Sequence, residues 1–167
     1  MNQLKNLGVR VKYDDNDNNR PGWKFAEYEM KGVPVRVAIG ARDLEKGVVE
    51  VARRDTKEKE AVHLDGIAQY IDGLLLEIQH AMFKKAKAYQ QDHITQANTW
   101  DEFVNLLDEK TGFISAHWDG TSETEEAIKE KTKATIRCIP LDNKQEEGSC
   151  ILTGKPSTQR VLFARAY

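Results

Sequence analysis

The chain has 167 residues, a net charge of −2, 40% apolar residues and 31% charged ones, the balance of a folded globular protein and not of a disordered one. The longest apolar run, "GLLLEI", is broken at Glu77, far short of the roughly 20 residues that a membrane helix needs. The first residues, "MNQLKNLGVRVKYDD", lack the apolar core of a secretory leader, and two cysteines, Cys138 and Cys150, suit a reducing, cytoplasmic setting.

In chain order, "NQLKNLG" reads as the last turns of a helix ending at Gly8, a residue suited to a left-handed cap. "VRVKY" (9–13) alternates like a strand, and "DDNDNNR" is a polar loop. Pro21 opens a helix, where its missing N–H costs nothing, and Gly32 closes it; Trp23, Ala26 or Glu27, and Met30 share one face. "VPVRVAIG" and "VVEVARR" are strands joined by "ARDLEKG", and the turn "DTKEK" leads to a third strand around "EAVHL". Asp65 starts the longest helix, whose Ile67, Ile71, Leu74, Leu75, Ile78 and Met82 form one apolar stripe. Its far end, "FKKAKAY", is basic, as suits the negative end of a helix dipole. The pattern lapses at "QDHITQAN", which divides the chain into units 1–96 and 97–167. In the second unit Thr99 with Glu102, and Ser122 with Glu125, read as capping boxes of two helices. "FISAHW", "ATIRCIP" and "RVLFARAY" are strands. The fold class is α/β: a mixed sheet flanked by helices, then a smaller α/β unit.

Residues 1–95 hold 16 Lys/Arg against 15 Asp/Glu, and residues 96–167 hold 9 against 12. Any nucleic-acid contact must therefore be local and not driven by bulk charge. One segment qualifies. "RPGWKFAEYEMKGVPVRVAIGARDLE" (20–45) sets Lys24, Lys31, Arg36 and Arg42 among Glu27, Glu29 and Asp43, with Trp23, Phe25 and Tyr28 between them. A guanine offers N1–H and N2–H to a carboxylate and O6 and N7 to an arginine, and aromatic rings stack on bases. Helix–strand pairs often mix charges and aromatics on a solvated surface as well, so the pattern alone leaves both readings open. The four histidines are scattered, with no HExxH and no nucleophile–base order, and no Walker or Rossmann glycine pattern is present.

The same segment resembles the anticodon-binding domain of prolyl-tRNA synthetases, matching at Pro21-Gly22-Trp23-Lys24-Phe25, Glu27, Glu29, Lys31-Gly32-Val33-Pro34, Arg36, Gly40 and Arg42-Asp43-Leu44-Glu45. "FISAHWDGTSETEEAIKEKTKATIRCIP" and "GKPSTQRVLFARAY" are similar to the extra C-terminal domain of the archaeal- and eukaryotic-type enzymes of that family. The resemblance implies that Phe25, Glu29, Arg36, Arg42, Asp43 and Lys59 read the two guanines of a proline anticodon. It also implies that the C-terminal carboxylate of Tyr167 reaches toward the active site of the parent enzyme. The partners implied are tRNA(Pro) and the catalytic domain of the same enzyme, a homodimer. ATP and Mg would serve that parent enzyme; none is implied for this chain, which lacks the class II catalytic motifs. A free-standing regulatory protein that borrows the anticodon fold to bind RNA or a synthetase is the alternative.

Many relatives of the C-terminal domain hold zinc through a Cys-x4-Cys pair and a Cys-x2-Cys pair. The matching positions here are Asp119, Thr124, Cys150 and Thr153. One thiolate is left, so zinc is not expected; hydroxyls and a carboxylate should hydrogen-bond in its place, and a rebuilt site from His117, Asp119 and Cys150 is the lesser option. In the family a strand and a helix open the anticodon domain, whereas this chain starts near the end of that helix. An unfilled strand slot is thus expected, with a tendency to dimerise through the open edge.

Overall fold

A computed structural model describes residues 1–166. Contacts divide the chain within its longest helix, into a first unit ending at Ala86 and a second from Lys87 onward.

The first unit opens with helix α1 (Asn2–Asn6), followed by α2 (Pro21–Met30), strand β1 (Val35–Ala38), α3 (Ala41–Glu45), β2 (Val48–Arg53), β3 (Lys59–His63) and α4 (Ile67–Asp92). The strands form one sheet in the order β1-β2-β3, antiparallel throughout. The sheet is therefore not mixed, as the sequence suggested. Residues 9–13 alternate correctly for a strand but find no ladder partner, and they run as irregular chain. Alternation is a statement about side chains; a strand also needs a neighbour to take its N–H and C=O groups. Among the described residues the outer edge of β1 has no partner strand.

Alternation along β2 sends Val49 and Val51 to one face, where both are 1% exposed and pack on Ile71, Leu74 and Ile78 of α4. The expected stripe ends early. Met82 is exposed, because a 26-residue helix is roughly 39 Å long and a six-residue strand spans only about 20 Å. Beyond Ile78 the helix outruns the sheet that covers it. Helix α2 buries no residue of its own, and Trp23 and Met30 on its apolar face stay largely exposed.

The second unit contains β4 (Ile94–Gln96), α5 (Trp100–Glu109), β5 (Phe113–His117), α6 (Ser122–Thr132), β6 (Ala134–Cys138), β7 (Gly148–Ser149), β8 (Pro156–Ser157) and β9 (Arg160–Arg165). Its main sheet has the order β4-β5-β9-β6; β4 pairs parallel to β5 and the other pairs are antiparallel. Ile94–Gln96, which the sequence reading placed in the first unit, thus forms a strand of the second sheet. Helices α5 and α6 close its core through Phe103 and Ile128, both fully buried. The Phe103 ring meets Phe163 of β9 edge-on at 5.1 Å, a favoured aromatic geometry.

The capping box of α5 is formed as read: Thr99 Oγ1 accepts from the Glu102 amide at 3.2 Å, and the Glu102 carboxylate accepts from the Thr99 amide at 3.3 Å. The second one is displaced. Thr121 caps α6, accepting from the Thr124 amide, and Ser122 is the first helical residue. Either hydroxyl suits an N-cap by type; Thr121 takes the role because Asp119 holds its side chain.

Phe103→Ala should destabilise the second unit by about 3–5 kcal/mol, the cost of removing a large ring from a closed core. Chemical denaturation followed by near-UV signals checks this, and a loss under 1 kcal/mol would mean the core is not packed as described.

Candidate nucleic-acid interface

The face of the first sheet turned away from α4 carries the residues singled out in the sequence. Arg36 pairs directly with Ala52, and Ala52 with Lys59. Directly opposed residues share a face, so Arg36, Ala52 and Lys59 form one row across three strands. The small alanine leaves a floor between two cations. Helix α2 lies along this row through Phe25, whose ring centroid is 3.5 Å from the Arg36 guanidinium carbon. Arg36 Nη1 also donates to Glu50 Oε1 at 3.3 Å. Glu50 stands two residues before Ala52, on the same face.

The resulting cleft encloses about 260 Å³ and is lined by Phe25, Tyr28, Glu29, Val33, Arg36, Ala52, Arg53, Arg54, Lys57 and Lys59. One local feature brings Glu29 to its rim. Gly32, at φ 79°, turns the chain sharply after α2, and the amides of Gly32 and Val33 bond back to Glu29 and Tyr28 carbonyls. Arg54 in the β2–β3 turn donates from Nε to the same Glu29 carbonyl at 2.8 Å, taking the second lone pair of an oxygen that already accepts from Gly32. Lys57, at φ 63° in the same turn, places its Nζ 3.7 Å from the Glu29 carboxylate.

Of the six residues expected to read guanines, Phe25, Glu29, Arg36 and Lys59 converge on this cleft. Arg42 and Asp43 do not line it. They stand on α3, where Asp43 Oδ2 accepts from the Gly40 amide at 3.0 Å and so holds the start of that helix. Tyr167 lies outside the described residues. Tyr28, one of the aromatics noted in the segment, also lines the cleft, and Arg54 and Lys57 line it without having been singled out; "RRDTKE" reads as a charged turn, and only its distance from α2 reveals its part.

In the second unit, Asp119, Thr124 and Thr153 come together around one carboxylate. Thr121 Oγ1 donates to Asp119 Oδ1, and Thr124 Oγ1 and Thr153 Oγ1 both donate to Oδ2, each at 2.9 Å; the Thr121 amide adds a fourth bond at 3.2 Å. Thr153 joins the turn after Cys150, which is closed by the Gly154 amide on the Cys150 carbonyl. Cys150 is buried. His117 is engaged elsewhere: its Nδ1 lies 3.1 Å from Ser157 Oγ and its Nε2 3.5 Å from Glu146. A structural zinc takes four N, S or carboxylate ligands. Three hydroxyls already directed at one carboxylate, with a single thiol, do not fit it, and no group of three His, Cys, Asp or Glu suited to a metal occurs among the described residues. No helix among them is long and apolar enough to cross a membrane.

Two family models match the chain: "Anticodon binding domain" over residues 1–74 and "Prolyl-tRNA synthetase, C-terminal" over residues 100–167. The chain is thus built of an anticodon-binding domain and a C-terminal domain of the prolyl-tRNA synthetase type. Curated relatives named proline–tRNA ligase are similar over nearly its whole length: 58% identity over 167 residues in Christiangramia forsetii, 62% over 164 in Cytophaga hutchinsonii and 59% over 164 in Porphyromonas gingivalis. These alignments cover 98–100% of the chain but 33–34% of each relative, so the chain spans about a third of the synthetases it matches. The matched regions are the anticodon-binding domain and the C-terminal domain.

Burial opposes ionisation of Asp119, but the hydrogen bonds from Thr124, Thr121 and Thr153 outweigh it and hold the carboxyl below its ordinary value. A carboxyl lowered on folding stabilises the fold above its unfolded pKa of about 4 and loses that contribution as pH falls through the folded value. Asp119→Asn should therefore cost roughly 1.5 kcal/mol at pH 7, the low end for bonds to a half-solvated charge. The gap to the unsubstituted chain should close below about pH 4. Denaturation midpoints across pH 3–8 check both; a gap independent of pH would mean the charge has no part.

Proposed function

We propose that this chain recognises the anticodon of tRNA(Pro) through the cleft between α2 and the β1-β2-β3 sheet. It would do so as part of a synthetase that joins proline to tRNA(Pro) by way of prolyl-adenylate, with ATP and Mg bound by the catalytic domain. The observation that carries the proposal is the row Arg36–Ala52–Lys59 lying beneath Phe25 with Glu29 at its rim, in a chain whose relatives are named proline–tRNA ligase.

The chemistry follows from donors and acceptors. Arg36 or Lys59 donates to guanine O6 and N7, and the Glu29 carboxylate accepts from N1–H and N2–H. Arg36 is held by Phe25 and Glu50 before any base arrives, so little side-chain entropy remains to be lost on binding. The Ala52 floor admits a flat ring where a larger side chain would fill the row. Arg42 and Asp43 act outside this cleft; Asp43 supports α3, and Arg42 is left for more distant RNA contacts. The partners on this reading are tRNA(Pro) and the catalytic domain, in a homodimeric cytoplasmic enzyme. The second unit keeps its knuckle through the Asp119 hydrogen bonds and works without zinc.

Binding to a proline anticodon stem-loop, compared with the same loop carrying cytosines for its two guanines, tests the proposal. The chain should prefer the guanine loop, and Arg36→Ala should weaken that loop by about 1–3 kcal/mol while abolishing the preference. Equal affinity for both loops before substitution would refute it.

A further inference from the structure

Five cations line the cleft, and they differ in what already engages them. The Arg53 guanidinium is fully occupied: Nε and Nη2 donate to Asp55 at 3.1 and 2.9 Å, and Nη1 to Glu77 at 2.7 Å, with the side chain only 14% exposed. Arg36 is stacked on Phe25 and paired with Glu50. Lys57 sits beside the Glu29 carboxylate. Lys59 stands in the row with Arg36 and Ala52, its ammonium without a bonded partner among the described residues and on a flexible stem. Arg54 differs from all four. Its backbone amide donates to the Pro34 carbonyl at 2.9 Å and its Nε to the Glu29 carbonyl, so the residue is anchored once at the main chain and once at the guanidinium. Nη1 and Nη2 have no hydrogen-bond partner among the described residues, and the residue is exposed at the rim.

We propose that Arg54 is a phosphate-binding residue of this interface, its two free terminal nitrogens seating a backbone phosphate of the RNA loop whose base enters the cleft. The inference rests on the anticodon reading and adds a contact to it. A guanidinium held by Nε presents Nη1 and Nη2 as a planar fork that matches two phosphate oxygens. Its place at the wet rim, outside the Arg36–Ala52–Lys59 row, suits a group that stays solvated when the base is bound. Phosphate contacts set register and orientation while base contacts carry sequence, and the cleft floor has no fixed donor for that first role. The bond to the Glu29 carbonyl ties the two together: the arm that holds the phosphate starts from the residue that faces guanine.

Salt dependence distinguishes a phosphate contact from a base contact. With the whole chain and the two stem-loops above, affinities are measured between 50 and 300 mM KCl for the unsubstituted chain, Arg54→Ala and Arg54→Lys. Arg54→Ala should weaken both loops by the same factor, several-fold, and lower the slope of log affinity against log salt by about 0.7–1, with the guanine preference unchanged. Arg54→Lys should restore most of the slope. If the alanine variant does not fold, as judged by its melting, Arg54→Gln takes its place with the same expectations. An unchanged slope overturns the inference, and so does a lost guanine preference, which would mean that Arg54 acts by positioning Glu29. Failure of the unsubstituted chain to prefer guanine is a different result and sinks the anticodon reading itself.

Discussion

The first unit's outer face depends on the Arg36 guanidinium lying 3.5 Å from the Phe25 ring centroid while reaching Glu50. Helix α2 buries no side chain completely and so lacks the usual means by which a helix is fixed on a sheet. The stack, with the Lys24–Asp14 ion pair and the Arg54 bond to the Glu29 carbonyl, supplies part of what burial does not. A cation over an aromatic face contributes on the order of 0.5–2 kcal/mol according to how dry it is, enough to bias the position of one short helix. The same contact immobilises the arginine that would meet a base, so one interaction both shapes the cleft and arms it.

The second unit reaches order by another route. Its core is closed by large fully buried side chains, Phe103, Phe163 and Ile128. The knuckle around Cys150 lies beside that core, tied to the loop before α6 by one carboxylate that accepts three hydroxyl protons and an amide. Hydrogen bonds to a charge contribute about 1.5–3 kcal/mol each at best, less than a structural metal provides. Phe103, Phe163 and Ile128 form the closed core of the unit, and the Asp119 bonds hold the shape of the knuckle beside it. The same carboxylate also fixes the start of α6, since Thr121, which caps the helix, is bound by Asp119.

Much of this was legible from residue order. Pro21 and Gly32 bound α2, Thr99 and Glu102 cap α5, and the alternation in "VVEVARR" gives the buried face of β2, because each depends on neighbours a few positions away. What was not legible depends on partners distant in the sequence. "VRVKY" alternates but has no strand to pair with; Met82 continues a helical stripe after the sheet has ended. Ser122 and Thr121 are equally good caps until Asp119 chooses between them. In the cleft, Phe25, Glu29, Arg36 and Lys59, which the resemblance names, line one surface. Arg42 and Asp43 share the motif but stand on α3, and Arg54 was overlooked because its significance lies in a bond to a carbonyl 25 residues earlier.

On the proposed reading, RNA meets the outer face of the β1-β2-β3 sheet and not some other surface of the chain. Amide chemical shifts of the labelled chain, recorded while a proline anticodon stem-loop is added, test it most directly. The largest changes are expected at Arg36, Ala52, Lys59 and the Arg54–Lys57 turn, with those around Asp119 and Phe163 unmoved. Changes centred on the second unit, or on the α4 side of the sheet at Val49 and Val51, would contradict it.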